Sequence, residues 1–143
     1  MKVVIGNYHP PKWIEWAFNL FGIKYDRKVS VQIDPWDTWS ADHTLATIIV
    51  PVLKQLRKDA MGSSAVDDED VPKGMRRKDA KPTENQWDVD EHWHKRWDWV
   101  LGEMIMAFEC IAEKDWVDWD KATEERVNNG LRLFGKYYMG LWD

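Results

Sequence analysis

Residues 90–113, DEHWHKRWDWVLGEMIMAFECIAE, decide the fold class. Trp93, Trp97, Val100, Leu101, Met104, Phe108 and Ile111 recur three or four residues apart, the period of one helix face. Asp88 or Asp90 serves as the N-cap, and the pattern lasts to about Glu113. A second row, His92, Arg96, Trp99, Glu103, Met106 and Cys110, mixes polar and apolar groups. Such a row suits a face turned toward a partner or a semi-polar pocket.

Outward from this helix, residues 114–118 break the pattern, and a final helix is expected over about 120–138. Val127, Leu131, Phe134 and Tyr138 make its inward row, and Leu141-Trp142 makes a C-terminal anchor. Upstream, a helix is expected over about 43–58, with Leu45, Ile48, Ile49, Val52, Leu53 and Leu56 on its apolar face and Pro51 inside it. Residues 62–89 show no period. They run from Gly62-Ser63-Ser64 through Asp67-Asp68-Glu69-Asp70 to a basic stretch with Arg76 and Arg77. Loops this long are functional or disordered in most compact domains, and the charge reversal allows this one to fold back on itself. Two strands complete the pattern: Val3-Val4-Ile5, closed by the turn signal Gly6-Asn7, and the half-buried alternation of residues 28–34. Between them, Pro10-Pro11 opens a helix carrying Trp13, Trp16, Ala17, Leu20 and Phe21, with Gly22 as its C-cap. The strands pair across either a parallel crossover or an antiparallel register. The fold class expected is therefore α+β and mostly helical: a short two-stranded sheet, about four helices and one long charged loop at about 62–89, in a single domain 1–143. Open sheet edges imply cover by helices or by a second subunit, hence a homo-oligomer.

Composition narrows the function classes. The chain has 143 residues, 44% of them hydrophobic, and a net charge of −5, which argues against a dedicated nucleic-acid binder. No apolar run approaches the roughly 20 residues of a membrane helix. One cysteine, Cys110, forms no internal disulfide and fits a reducing compartment. It reads as a buried, inert thiol rather than a nucleophile. The eleven tryptophans exceed what one small core absorbs, so some of them are expected at a pocket or an interface. Five are followed by Asp, a dipeptide also found in propeller blades, but the spacings lack the roughly 40–45-residue blade period.

Residues 33–40 (IDPWDTWS), 42–46 (DHTLA), 66–72 (VDDEDVP), 96–101 (RWDWVL) and 131–138 (LRLFGKYY), with the terminal Leu141-Trp142-Asp143, resemble a group of small uncharacterised proteins encoded by tailed bacteriophages. The resemblance covers most of the chain from residue 33 onward. The first 30 residues and the stretch around 114–121 carry none. It implies a phage origin and action in the host bacterial cytoplasm, and it transfers no catalytic residue.

No phosphate-loop, dinucleotide-glycine or nucleophile-elbow pattern occurs. Asp88, Asp90, His92 and His94 alternate and would make a metal site on a strand; on a helix only Asp90 and His94 align. The acidic run at Asp67–Asp70 lacks a calcium loop's glycine and reads as a solvated or Arg-paired turn. His43 sits at a helix start and reads as a surface group there. The remaining constellation is one for binding. Trp36, Trp39 and His43 precede a helix N-terminus, Arg96 and Trp99 lie on the mixed row, and Arg76 and Arg77 lie in the loop. Aromatic faces suit a base, while Arg forks and helix N–H groups suit phosphates. The expected function is a phage accessory binding protein, without catalysis, cofactor or metal, that sequesters a small nucleotide-derived ligand such as a host defence signal under the closing loop. The alternative is a protein–protein interaction module, either a host-protein inhibitor or a virion component. A metal-dependent hydrolase using His92 and His94 comes third.

Overall fold

The computed structural model describes residues 1–5, 10–24, 26, 28–85, 88–113 and 118–142. The Gly6-Asn7 turn, Trp87, Trp116 and most of the helix break at 114–118 lie outside the described residues. Among the described residues the order is β1 (Lys2–Ile5), α1 (Lys12–Leu20), β2 (Val29–Gln32), α2 (Ala41–Asp59), α3 (Trp93–Glu113) and α4 (Lys121–Tyr137). Short 3-10 turns stand at Pro35–Thr38, Asp68–Asp70, Arg77–Asp79 and Tyr138–Gly140. The class is α+β and mostly helical, and the chain divides into two compact units, Met1–Ala41 and Asp42–Asp143.

In the N-terminal unit β1 and β2 pair antiparallel, with Val3 opposite Val31 and Val4 opposite Ser30. All four residues of β2 are exposed, which corrects the half-buried reading of its alternation. Two four-residue strands alone cover little of each other's faces. Pro11 caps α1, and Gly22, at φ +61°, ends it while the Ile23 amide donates to the Phe18 carbonyl (2.9 Å). The glycine takes a left-handed conformation that a side chain would strain. Ile14, Ala17 and Phe18 form the half-buried side of α1, whereas Trp13, Trp16 and Leu20 form its exposed side.

The C-terminal unit is built on α3. Trp97, Val100, Leu101, Met104 and Phe108 are buried, as the period predicts, together with Ala46 and Leu53 of α2, Val71 of the loop, and Leu133 and Tyr137 of α4. The second row of α3 is partly buried as well: Arg96 and Glu103 lie inside the unit. On α2, Leu45 and Val52 are exposed, so its buried face is narrower than the sequence suggests.

On α4 the buried row is Val127, Gly130, Leu133 and Tyr137, which corrects the expected row through Leu131 and Tyr138. The cause is Gly130. A Cβ there would overlap the Ala107 side chain and approach the Glu103 carbonyl oxygen, so α3 and α4 come into close contact where α4 has no side chain. A glycine contributes nothing to a hydrophobic pattern, and the inward row rotates toward it.

Residues 64–77 are tied to α4 and the start of α3 through specific bonds. Ser64 Oγ donates to the Gly140 carbonyl (2.8 Å), the Asp67 amide donates to Tyr137 Oη (3.0 Å), and Arg96 Nη1 donates to the Met75 carbonyl (3.1 Å). The segment also folds back on itself, since the Arg77 amide donates to Asp68 Oδ1 (2.5 Å).

Candidate functional site

The Asp34–Trp39 turn displays two of the expected binding residues. Asp34 and Asp37 form a reciprocal capping box: the Trp36 amide donates to the Asp34 carboxylate (3.0 Å), and the Asp34 amide donates to Asp37 Oδ2 (2.9 Å). Pro35 fixes the first residue of the turn, and Thr38 Oγ1 donates to the Pro35 carbonyl (2.7 Å). On this frame the Trp36 and Trp39 rings touch, centroids 6.0 Å apart and planes tilted by 36°, while remaining 77% and 83% exposed. With the rings already in contact, no third ring fits between them; a flat molecule or an apolar side chain would sit on their outer faces.

Trp13 and Trp16 are also exposed, and so is Trp142. Of the nine described tryptophans only Trp97 is buried, and Trp93, Trp99 and Trp119 are half-buried. Most of the indoles are therefore not core.

The other expected binding residues have different employment. Arg96 is 2% exposed and grips Asp90 with both ends of its fork, Nη1 to Oδ1 at 2.9 Å and Nη2 to Oδ2 at 2.6 Å. That contact holds the Asp90 carboxyl below its ordinary range. With the Met75 carbonyl also bound, this guanidinium is a structural group and offers no fork to a phosphate, which corrects its place in the binding constellation. Trp99 packs, half-buried, against the core. His43 Nδ1 donates to the Ile111 carbonyl (2.9 Å), tying the start of α2 to the last part of α3. Arg76 is half-buried with Nε unpartnered, and Arg77 is exposed in its 3-10 turn. Arg76, Arg77, Arg96 and Trp99 thus do not form one open pocket.

The alternating Asp-His string does not assemble a metal centre either. Asp90 is spent on Arg96, Asp88 accepts from Asn85, and His94 Nδ1 lies 2.8 Å from Ser63 Oγ. The helix starts only at Trp93, which leaves Asp90 and His94 on different elements. Among the described residues, the one group of carboxylates close enough to share a cation is Asp67, Glu69 and Asp70. Lys136 occupies that position: its Nζ lies 2.7 Å from Asp67, 3.1 Å from Glu69 and 2.6 Å from Asp70. Arg132 Nη2 adds a 2.6 Å bond to Asp70, so the acidic turn is paired with Lys and Arg. Burial pushes the Asp70 carboxyl up, but the bonds from Lys136, Tyr137 and Arg132 outweigh it and hold the group below its usual value. Hydrogen bonds to Asp67 and Asp70 raise Lys136. The cluster is a clasp between loop and helix.

Among its described residues the C-terminal unit has a smaller and a larger cleft. One, of about 280 Å³, has Arg57, Met61, His94, Trp97, Asp98 and Leu101 in its wall. The Arg57 fork saturates Asp98 there, Nε and Nη2 donating at 2.6 and 2.7 Å. The other, of about 430 Å³, is lined by Ile48, Ile49, Val52, Leu53 and Leu56 of α2 against Phe134, Tyr138 and Leu141. Its wall has no charged group, and sequence reading missed it because α2 was expected to bury this whole face.

No family model, curated protein or solved structure matches the chain. Fold and site define it as a helix-dominated α+β protein with an exposed double-indole turn. No helix among the described residues is long and apolar enough to cross a membrane.

Proposed function

We propose that this chain is a binding protein without catalysis that engages another protein through Trp36 and Trp39. One observation carries the reading: a pair of indoles about four-fifths exposed on a turn already fixed by a capping box. Tryptophan is the residue most enriched among interface hot spots, and a preorganised anchor loses little entropy on binding. Each ring offers roughly 150–250 Å² to bury. The resemblance to phage-encoded proteins supports a host or virion protein as the partner.

The test compares the purified chain with its Trp36→Ala/Trp39→Ala variant, each immobilised and exposed to host lysate. One stoichiometric partner held by the first and lost by the second supports the reading; equal retention, or none, overturns it.

The same ring pair supports a second reading, a nucleotide-derived ligand whose base stacks on an outer indole face. Titration with a nucleotide panel, read by indole fluorescence, separates the two. Saturable quenching that disappears in the double variant favours the small ligand.

A further inference from the structure

The C-terminal unit is acidic, with fifteen Lys and Arg against twenty-one Asp and Glu, yet one cluster of its cations has no carboxylate partner. Among the described residues of the unit, eight Lys and Arg side chains meet a carboxylate. Lys58, Lys73, Arg76, Arg77, Lys78 and Lys95 do not, and four of these six fall within residues 73–78. We infer that residues 73–78 form a binding site for a compact oligophosphate, a short run of linked phosphate groups either free or carried by a nucleoside.

The backbone gathers these side chains around one turn. Gly74, at φ +92°, bends the chain, and its amide donates to Asp79 Oδ2 (2.8 Å). The Asp79 amide donates to the Arg76 carbonyl (3.0 Å) and the Ala80 amide to the Arg77 carbonyl (3.2 Å). Met75 anchors the curl: its side chain packs against the core and its carbonyl accepts from Arg96. The neighbouring carboxylates are engaged elsewhere. Asp68 and Asp79 each hold a backbone amide, Glu91 pairs with Lys81, and Asp67, Glu69 and Asp70 surround Lys136. Arg76 supplies a second, independent observation. It is half-buried and its Nε is shut off from solvent with no acceptor, so its charge has lost hydration without gaining a partner. An anion bound to the same guanidinium restores that loss through charge-assisted bonds.

The form of the cluster selects the anion. Four positive groups around one short turn suit several negative charges packed close together, which linked phosphates provide. An acidic peptide instead spreads its carboxylates along a chain, at about 3.3 Å per residue and on alternate sides. A long nucleic acid would run past the turn onto a unit of net −6, and residues 72–81 hold no aromatic ring on which a base could stack. The chain's own N-terminal unit offers no such density either. Its carboxylates, Glu15, Asp26, Asp34 and Asp37, are scattered, and the last two already cap one turn. The site shares no residue with Trp36 and Trp39, so the inference stands apart from the function proposed above.

Isothermal titration of the full chain with sodium tripolyphosphate at low salt tests it. Saturable one-to-one binding is expected, weakening as salt rises. Arg77→Gln/Lys78→Gln removes two exposed cations and should weaken binding about tenfold or more at an unchanged thermal midpoint. Lys58→Gln/Lys95→Gln removes the same charge from α2 and α3 and should bind as the parent does, and so should Trp36→Ala/Trp39→Ala. A nucleoside triphosphate that binds as tripolyphosphate does shows that phosphates alone are read, and one that binds more tightly shows that the nucleoside adds a contact; both support the site. Four results overturn it: no saturable binding, equal losses in the two double cation variants, loss in the tryptophan variant, or tighter binding of hexaglutamate or an oligothymidylate than of tripolyphosphate.

Discussion

Gly130 of α4 sits against Ala107 of α3 with no room for a methyl group between them. That contact sets which side of α4 faces inward. Gly135, one turn and a half further on, has nothing within 4 Å of where its Cβ would be. The two glycines therefore respond in opposite directions to the same change. Gly130→Ala gains helix propensity but forces the helices apart, and should lower stability by about 1–3 kcal/mol. Gly135→Ala keeps only the propensity gain and should raise it by about 0.5–1 kcal/mol. Urea denaturation of both variants checks the pair, and equal signs would contradict the packing described.

The Asp70 clasp sets a pH dependence. The Asp70 carboxyl is held low in the fold, so its contribution is full above the unfolded value of about 3.9 and disappears as pH falls through the lower folded one. Lys136 is held high, so its contribution is full below about 10.4 and is lost only as pH rises through a still higher value. The thermal midpoint should stay nearly flat between about pH 5 and 9 and fall in acid. Asp70→Asn should cost about 1–3 kcal/mol on that plateau and make the acid decline shallower, though not abolish it, because Asp90 and Asp98 are also held low. An unchanged acid limb would remove the clasp as its source.

How far the sequence could be read follows from which forces are local. The period of α3 and the proline entry and glycine exit of α1 are short-range signals, and each is found where its pattern places it. The clasp joins Asp70 to residues more than sixty positions away, so nothing near the acidic run announces it. Arg96 looked like a free cation because its partner, Asp90, lies ahead of the helix rather than along it. The Trp36–Trp39 turn was legible as a binding candidate because its two rings lie three residues apart, just ahead of the start of α2. The apolar groove was hidden by the same hydrophobic pattern that predicted α2.

The burial of Arg96 changes what its substitution reports. Arg96→Met leaves Asp90 buried with its main partner gone, at a cost of about 3–5 kcal/mol. Adding Asp90→Asn removes the stranded charge while keeping a side-chain oxygen for the His92 amide, and should recover a large part of that loss. Chemical denaturation of the single and double variants measures the coupling. Additive losses would mean that the two side chains do not depend on one another as their geometry indicates.

Tryptophans of opposite burial separate core from surface. Trp97 is 2% exposed and stacks edge-on to Tyr137, centroids 6.1 Å apart, so Trp97→Ala should cost about 3–5 kcal/mol through the cavity it leaves. Trp36→Ala and Trp39→Ala remove rings that are mostly in water and should shift stability by no more than about 0.5 kcal/mol. A loss of binding in these two variants, at unchanged thermal midpoint, then reports contact with the partner and not damage to the fold. If instead either one unfolds the chain as Trp97→Ala does, its indole is holding the protein together, and the turn loses its claim to be a docking anchor.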